Sequence, residues 1–298
     1  MTYQPLGSSP LFVSSIGFGC MSLGGDEKSA IELVAQAIEK GINFFDTADL
    51  YDKGHNEVMV GKAVKAHRKK IVLATKVGNQ WRADGSGWDW NPRKEYILQA
   101  ADASLKRLQT DYIDLYQLHG GTLEDPIEET IDAFETLVKG GKIRYYGISS
   151  IRPNVIREWV QRSRLVSVMM QYSLLDRRSE EACLPLLQQK HISVLARGAV
   201  AQGLLVHKTP KPYLNYSAEQ VALAAKAIQQ LSGAGRHAAQ TALRFVLQQP
   251  AITSAVVGIR TLQQLEEAIE TINTAPLLDT ELQQLKSLLP SNSYTQHI

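Results

Sequence analysis

A chain of 298 residues, 44% apolar and 21% charged, can bury a substantial core and is ordinary in composition for a globular protein. Its 32 basic and 30 acidic residues leave a formal charge of +2, which gives no reason to expect nucleic acid or an acidic membrane surface as partner. No apolar run approaches the roughly 20 residues of a membrane helix, and Cys20 and Cys183 are too few for a disulfide framework. The N-terminal Met-Thr-Tyr-Gln-Pro lacks a basic segment followed by an apolar one, so no secretory signal is visible. The expectation is a cytoplasmic protein with reduced thiols and no obligate protein partner.

In chain order, residues 3–19 hold two short extended pieces around Gly7-Ser-Ser-Pro10, which predicts a β-hairpin, and Ile16-Gly-Phe-Gly-Cys20 reads as a first buried strand. Ile31, Val34, Ala35 and Ile38 repeat at helical spacing up to a stop at Gly41. Asn43 to Phe45 is a second strand, followed by a helix over about 56–66 and a third strand over 71–75. Residues 77–91 read as a long loop carrying Trp81, Trp88 and Trp90. Asn91-Pro92 predicts a cap and a proline at the first helical position, and Asp125-Pro126 repeats the device.

Between those two helices, Tyr112 to Leu118 is a fourth strand. Residues 144–149, 166–171, 192–196 and 253–257 supply four more. Helices follow over about 153–161, 217–231, 236–248 and 278–289. Thr261-Leu-Gln-Gln264 resembles a capping box before a helix whose buried side is Leu262, Leu265, Ile269 and Ile272.

Eight short apolar strands alternating with helices, with no linker, predict an α/β fold: a single (β/α)8 TIM barrel spanning 1–298, with an N-terminal β-hairpin and two extra helices. A doubly wound sheet would expect a glycine-rich phosphate turn after the first strand, and Gly17-Phe-Gly19 does not complete one. In a barrel, strand exits face a common mouth. The second strand stops at Asp46 with Tyr51 five residues on, the third delivers Lys76 and the fourth delivers His119.

Singly, each residue has a plain reading: Asp46 as a helix cap, Tyr51 as packing, Lys76 as a surface lysine, His119 as a rim residue. Together they suit proton transfer. An ammonium stabilises a phenolate, so Lys76 beside Tyr51 makes the tyrosine a better acid, and Asp46 pairs with Lys76. His119 can donate a hydrogen bond to a carbonyl oxygen. Carbonyl reduction then needs hydride, which no side chain carries, so a cofactor is implied.

The chain resembles the aldo-keto reductase family over nearly its whole length. Gly41-Ile-Asn-Phe-Phe-Asp-Thr-Ala-Asp-Leu-Tyr51, Ala74-Thr-Lys76, Asp111-Tyr-Ile-Asp-Leu-Tyr-Gln-Leu-His119, Gly141-Lys-Ile-Arg-Tyr-Tyr-Gly-Ile-Ser149 and Gln263-Gln-Leu-Glu-Glu267 carry the likeness. It implies a barrel that reduces aldehydes and ketones with NADPH, a catalytic tetrad of Asp46, Tyr51, Lys76 and His119, and a hairpin that plugs the barrel bottom.

By position, Ser149 and Gln171 match residues that hold the nicotinamide carboxamide, and Arg197 to Gly203 match a pyrophosphate loop. Met21 joins the cofactor set, with Cys20 and Met21 expected at the pocket floor. Gly258-Ile-Arg260 precedes the last barrel helix, where N–H groups and the helix dipole favour an anion. The resemblance sets Arg260 against the adenosine 2′-phosphate, with Gln264 and Glu267 on the adenine side; the plain alternative is a solvated loop arginine. Three positions depart from the family pattern. Ser150 and Ala268 stand where asparagine is frequent, and Arg197-Gly-Ala-Val200 replaces an aromatic-Ser-Pro-Leu whose ring stacks on nicotinamide.

Trp81 and Trp88, with Trp90, either wall a substrate pocket or pack the loop. Cys20 has no His or Asp near it in sequence to activate it as a nucleophile. Three other functions compete. A non-catalytic NADPH sensor would keep the cofactor site alone, and a Schiff-base aldolase would use Lys76 free of a carboxylate. A metal hydrolase lacks ligand spacing, because the seven histidines form no H-x-H or H-x-x-x-H pair.

Overall fold

The computed structural model describes residues 1–24, 26–233 and 235–298. The first hairpin pairs β1 (Tyr3–Pro5) with β2 (Phe12–Ser14), with Gln4 opposite Val13. Its turn needs Gly7: φ is +55°, and a Cβ there would lie 2.2 Å from the Val166 carbonyl oxygen.

Eight parallel strands close a barrel as predicted. β3 (Ile16–Gly19), β4 (Phe44–Asp46) and β5 (Val72–Val77) come first. A second antiparallel hairpin interrupts, β6 (Asn79–Trp81) with β7 (Trp88–Trp90), where a loop was expected. Trp81 and Trp88 are cross-strand partners, and Arg82 bonds Asp89 across the turn end. β8 (Ile113–Leu118), β9 (Ile143–Ser149), β10 (Ser167–Gln171), β11 (Ser193–Arg197) and β12 (Ile252–Gly258) complete the ring, β12 beside β3 and β9 beside β10.

The outer layer is α1 (Glu27–Glu39), α2 (His55–Val64), α3 (Lys94–Leu108), α4 (Ile127–Lys139), α5 (Pro153–Arg162), α6 (Cys183–Gln189), α8 (Ala238–Leu247) and α9 (Leu262–Glu270). Two helices lie beyond these eight, α7 (Ala218–Gln230) and α10 (Asp279–Ser287), in contact with each other. Three expectations need correction. α6 is absent from the sequence reading; it buries Leu184 and Leu187, and Pro185 falls in its first turn, where no intrahelical N–H is needed. α3 and α4 begin at Lys94 and Ile127, later than the Asn91-Pro92 and Asp125-Pro126 signals. Those polar residues close the preceding loops instead. Asn91 accepts from the Arg93 N–H, and Asp125 accepts from Thr122 and from the Trp90 indole at 2.8 Å.

Side chains alternate across each strand. Outward residues such as Phe18, Phe45 and Tyr116 join the helices in the larger core. Phe44, Val72, Ala74, Leu115, Val166, Met169, Leu195 and Val256 point inward, with Leu6 and Val13 of the hairpin sealing the bottom. This apolar plug sets a floor, and the next inward residues toward the exits of β4, β5, β8, β10 and β11 are Asp46, Lys76, Gln117, Gln171 and Arg197.

Candidate active site

Those exits carry the chemistry. Strand register sets Gly19 beside Asp46, Asp46 beside Ala74, and Lys76 beside Gln117. Asp46 and Lys76 are therefore buried at one level of the mouth, 2.6 Å apart between Oδ2 and Nζ. Nζ also donates to the Thr47 carbonyl at 2.7 Å and to Tyr51 Oη at 3.3 Å. Three acceptors around one nitrogen are fully served only by an ammonium, which has three hydrogens. Because Nζ donates to the phenol oxygen, the Tyr51 hydroxyl hydrogen is left to point elsewhere.

Tyr51 is held by backbone. The Thr47 N–H donates to the Ala74 carbonyl and Asp49 N–H to the Lys76 carbonyl. After Tyr51 the chain runs through left-handed conformations at Asp52, Lys53 and Gly54 (φ 48°, 52° and 84°), a strained passage for the first two. α2 anchors it from below. Asn56 bridges the Thr47 hydroxyl and the Cys20 carbonyl, and buried Glu57 bonds the Thr75 hydroxyl and Arg107, both at 2.6 Å. Neither Asn56 nor Glu57 was singled out from sequence.

Electrostatics follow from burial. Loss of solvent works against the Lys76 ammonium, but Asp46 and then Tyr51 hold it above its ordinary value. Burial pushes the Asp46 carboxyl up, against the pull of Lys76 and of the Gln117 amide, 3.1 Å from Oδ1. His119 follows β8, its ring edge-on to Tyr51 with centroids 6.0 Å apart. Burial, then the Lys76 and Arg197 charges, bring its pKa down to about 3, so the imidazole is neutral, and its buried Nδ1 has no partner among the described residues. A neutral imidazole offers one N–H donor, suited to a carbonyl oxygen. Gln117 was also missed. Its signal is the inward phase of β8, where Leu115, Gln117 and His119 alternate on one face.

The other side of the mouth gathers most of the candidate cofactor residues. Ser149 is buried at the end of β9, and Gln171 ends β10 beside Arg197 ending β11. Gln171 donates to Tyr213 Oη at 2.7 Å and accepts from Arg197 at 3.3 Å. Gly198, Ala201, Gln202 and Gly203 all have positive φ, so the loop from Arg197 to Gly203 coils tightly at the rim. Gly258 ends β12 under Ser22, and Arg260 is exposed with no carboxylate partner among the described residues. The capping box is half formed: Thr261 accepts from the Gln264 N–H, but the Gln264 side chain takes the Arg260 N–H at 2.9 Å. Glu267 is half-buried one turn on.

Cys20 and Met21 do not floor the mouth. Cys20 packs outward beneath the helices, where burial pushes its thiol far up, while Met21 is 65% exposed on the rim. Trp90 packs against Gly78 and Gly120, whereas Trp88 is 47% exposed and Trp81 has Lys53 5.3 Å from its ring. That places Trp81 beside the Tyr51 turn. A groove of about 560 Å³ lined by Leu11, Tyr112 and Arg144 lies at the barrel's opposite end, away from these groups. Among the described residues no helix is long and apolar enough to cross a membrane.

The chain is similar to known proteins over its whole length. The chain is 49% identical over 306 residues to the uncharacterized oxidoreductase YqkF of Bacillus subtilis, covering 100% of this chain and 99% of that one. It superimposes on an aldo-keto reductase from Bacillus halodurans with TM-score 0.93 in the holo form and 0.85 in the apo form, at 48% and 45% identity, covering 100% of this chain and 99% of that chain. It is 34% identical over 230 residues to the NADH-specific methylglyoxal reductase of Escherichia coli, covering 70% and 71% of the two chains. The model of the Aldo/keto reductase family matches residues 15–290. The chain belongs to that family of oxidoreductases, which act on small carbonyl compounds with a nicotinamide cofactor.

Proposed function

We propose that the protein reduces aldehydes, and ketones as a further substrate class, to alcohols with NADPH, residues 1–298 acting as one barrel domain. The observation that carries this reading is the Lys76 ammonium bonded at once to Asp46 and Tyr51, with a neutral His119 edge-on to the phenol. A reductase needs an acid beside the carbonyl oxygen and a donor that does not itself give up a proton, roles that suit Tyr51 and neutral His119.

The residues on the far side of the mouth fit a dinucleotide. Ser149 and Gln171 present hydroxyl and amide groups suited to a carboxamide. The coiled loop from Arg197 to Gly203, with Gly258 and exposed Met21, lies on the rim where a pyrophosphate would pass. Exposed Arg260, ahead of the N-terminus of α9, suits a phosphate, with Gln264 and Glu267 next to it. NADPH over NADH rests on Arg260, since one relative is by name NADH-specific.

When bound, the nicotinamide supplies hydride to the carbonyl carbon. Tyr51 gives its free O–H proton to the oxygen, and Lys76 stabilises the phenolate left behind. The His119 N–H orients the oxygen, and Trp81 and Trp88 offer an apolar wall to the substrate. The test is loss of NADPH absorbance with a panel of aldehydes, beside Tyr51→Phe. Turnover should fall roughly a hundredfold to ten-thousandfold in the variant with NADPH binding retained. NADPH binding without turnover on any carbonyl would instead support a sensor.

A further inference from the structure

A second pair of buried carboxyls stands beneath the Tyr51 turn, and the proton chemistry uses neither. Glu57 has both oxygens served: Oε1 by the Thr75 hydroxyl at 2.6 Å, Oε2 by Arg107 at 2.6 Å and the Ser104 hydroxyl at 3.3 Å. Asp49 is only 7% exposed, and its Oδ1 reaches no donor among the described residues. The charged and titratable groups that face it are Glu57 of α2, Arg107 and Tyr96 of α3, Tyr116 of β8 and Lys76 of β5. Of the two cations, Arg107 is committed to Glu57 and Lys76 to Asp46. The Tyr116 hydroxyl is likewise buried without a partner among the described residues. A buried carboxylate keeps its charge where both oxygens are met, as at Asp46 and Glu57. Asp49 lacks that and carries a proton instead. Burial, then the Glu57 charge, push its carboxyl up to about 8, against the pull of Arg107, the Leu50 N–H and Lys76.

We propose that protonated Asp49 seats the turn bearing Tyr51, and that loss of this proton unseats the turn and stops reduction in mild alkali. This rests on the reading of Tyr51 as the acid. Asp49 lies two residues before Tyr51, and its N–H ties the turn to the Lys76 carbonyl at 3.3 Å. An ionised Asp49 must reach water or draw Arg107 away from Glu57, and either route moves the segment that carries the phenol. The residues beyond offer little resistance, because Asp52 and Lys53 hold left-handed conformations whose strain is relieved when the turn loosens. Tyr51 Oη is only 3.3 Å from Lys76 Nζ at the start. A displacement of about 1 Å breaks that bond and takes the phenol off line with a carbonyl oxygen, at a cost of about a hundredfold in rate. Asp49 therefore acts through Tyr51, as a positioning residue.

The test compares wild type, Asp49→Asn and Asp49→Ser across about pH 6 to 9.5 with saturating NADPH and an aldehyde. Wild-type kcat should fall about tenfold between pH 7 and 9, as one group near 8 loses its proton, while Asp49→Asn changes by less than about twofold. Thermal melts give a second readout. The folded value lies above the ordinary carboxylate range, so this acid's share of stability is complete below about pH 4 and lost as pH rises toward 8. Wild type should lose melting temperature over that interval relative to either neutral variant. Infrared difference spectra, wild type against variant, should show a protonated carboxyl at pH 6 that titrates near 8. Asp49→Ser replaces Asp49→Asn if the latter fails to fold, and the wild-type infrared titration needs neither. An alkaline fall of equal size in the variants, or spectra without a protonated carboxyl, overturns the proposal and leaves the reductase reading intact. No turnover of any carbonyl at any pH overturns both.

Discussion

Both ends of the barrel bury a carboxylate among cations, and they use it differently. At the bottom, Asp114 pairs with Arg68 at 2.7 Å, accepts from Arg144 at 2.9 Å and from the Leu73 N–H at 3.0 Å, and each guanidinium lies 4.0 Å from the centre of the Tyr112 ring. Both oxygens of that carboxylate are occupied, one by Arg144 and the other by Arg68 and the Leu73 N–H. At the mouth, Asp46 is equally buried and bonded, but among the described residues the network ends in unspent capacity: the Tyr51 hydroxyl hydrogen, a His119 Nδ1 without a partner and the Arg197 charge without a carboxylate. Saturation gives stability, and incomplete saturation gives chemistry.

This contrast can be broken from either end. The largest effect is expected from Lys76→Met, which removes the phenolate's cation and strands a buried carboxylate. Turnover should drop about a thousandfold, and unfolding by denaturant should show a loss of about 3–5 kcal/mol. Asp114→Asn should do the opposite, losing about 3 kcal/mol of stability while turnover of the folded enzyme stays within about twofold. Should Asp114→Asn silence the enzyme at full folding, the two ends would not be separable.

Acid sharpens the comparison through His119. A neutral imidazole with a folded pKa of about 3 against an ordinary 6.5 binds fewer protons than it does unfolded. Its contribution to stability is therefore complete above about pH 6.5 and lost progressively as pH falls toward 3. His119→Asn should remove that part of the acid sensitivity in thermal melts across this range. The kcat/KM profile of the wild type should show no imidazole step between about pH 5 and 8. The smallest effect is expected from Gln117→Leu, which takes away one hydrogen bond to Asp46 and should lower turnover by about tenfold or less.

The strands and the tetrad were legible because both are local signals. An apolar run that stops at Asp46, Lys76 or His119 states its own exit, and closure of eight such runs brings the exits together. What depended on register was hidden. Gln117 meets Asp46 only because Lys76 lies beside Gln117 in neighbouring strands, 71 residues apart from Asp46 for the bond that results. Glu57 and Arg107 meet by packing of α2 on α3, and no spacing announces it. The β6–β7 hairpin was missed because Trp81 and Trp88 flank a six-residue turn, Arg82 to Gly87, without clear alternation. The proline signals at Pro92 and Pro126 misplaced two helix starts because Asn91 and Asp125 satisfy loop groups first.

The most direct test of the mouth as a reducing site is a single turnover of aldehyde with NADPH carrying deuterium at C4. The alcohol should carry deuterium at its carbinol carbon in wild type, and Tyr51→Phe should form that product far more slowly at equal cofactor occupancy. Bound NADPH that yields no labelled alcohol from any aldehyde or ketone would contradict the account.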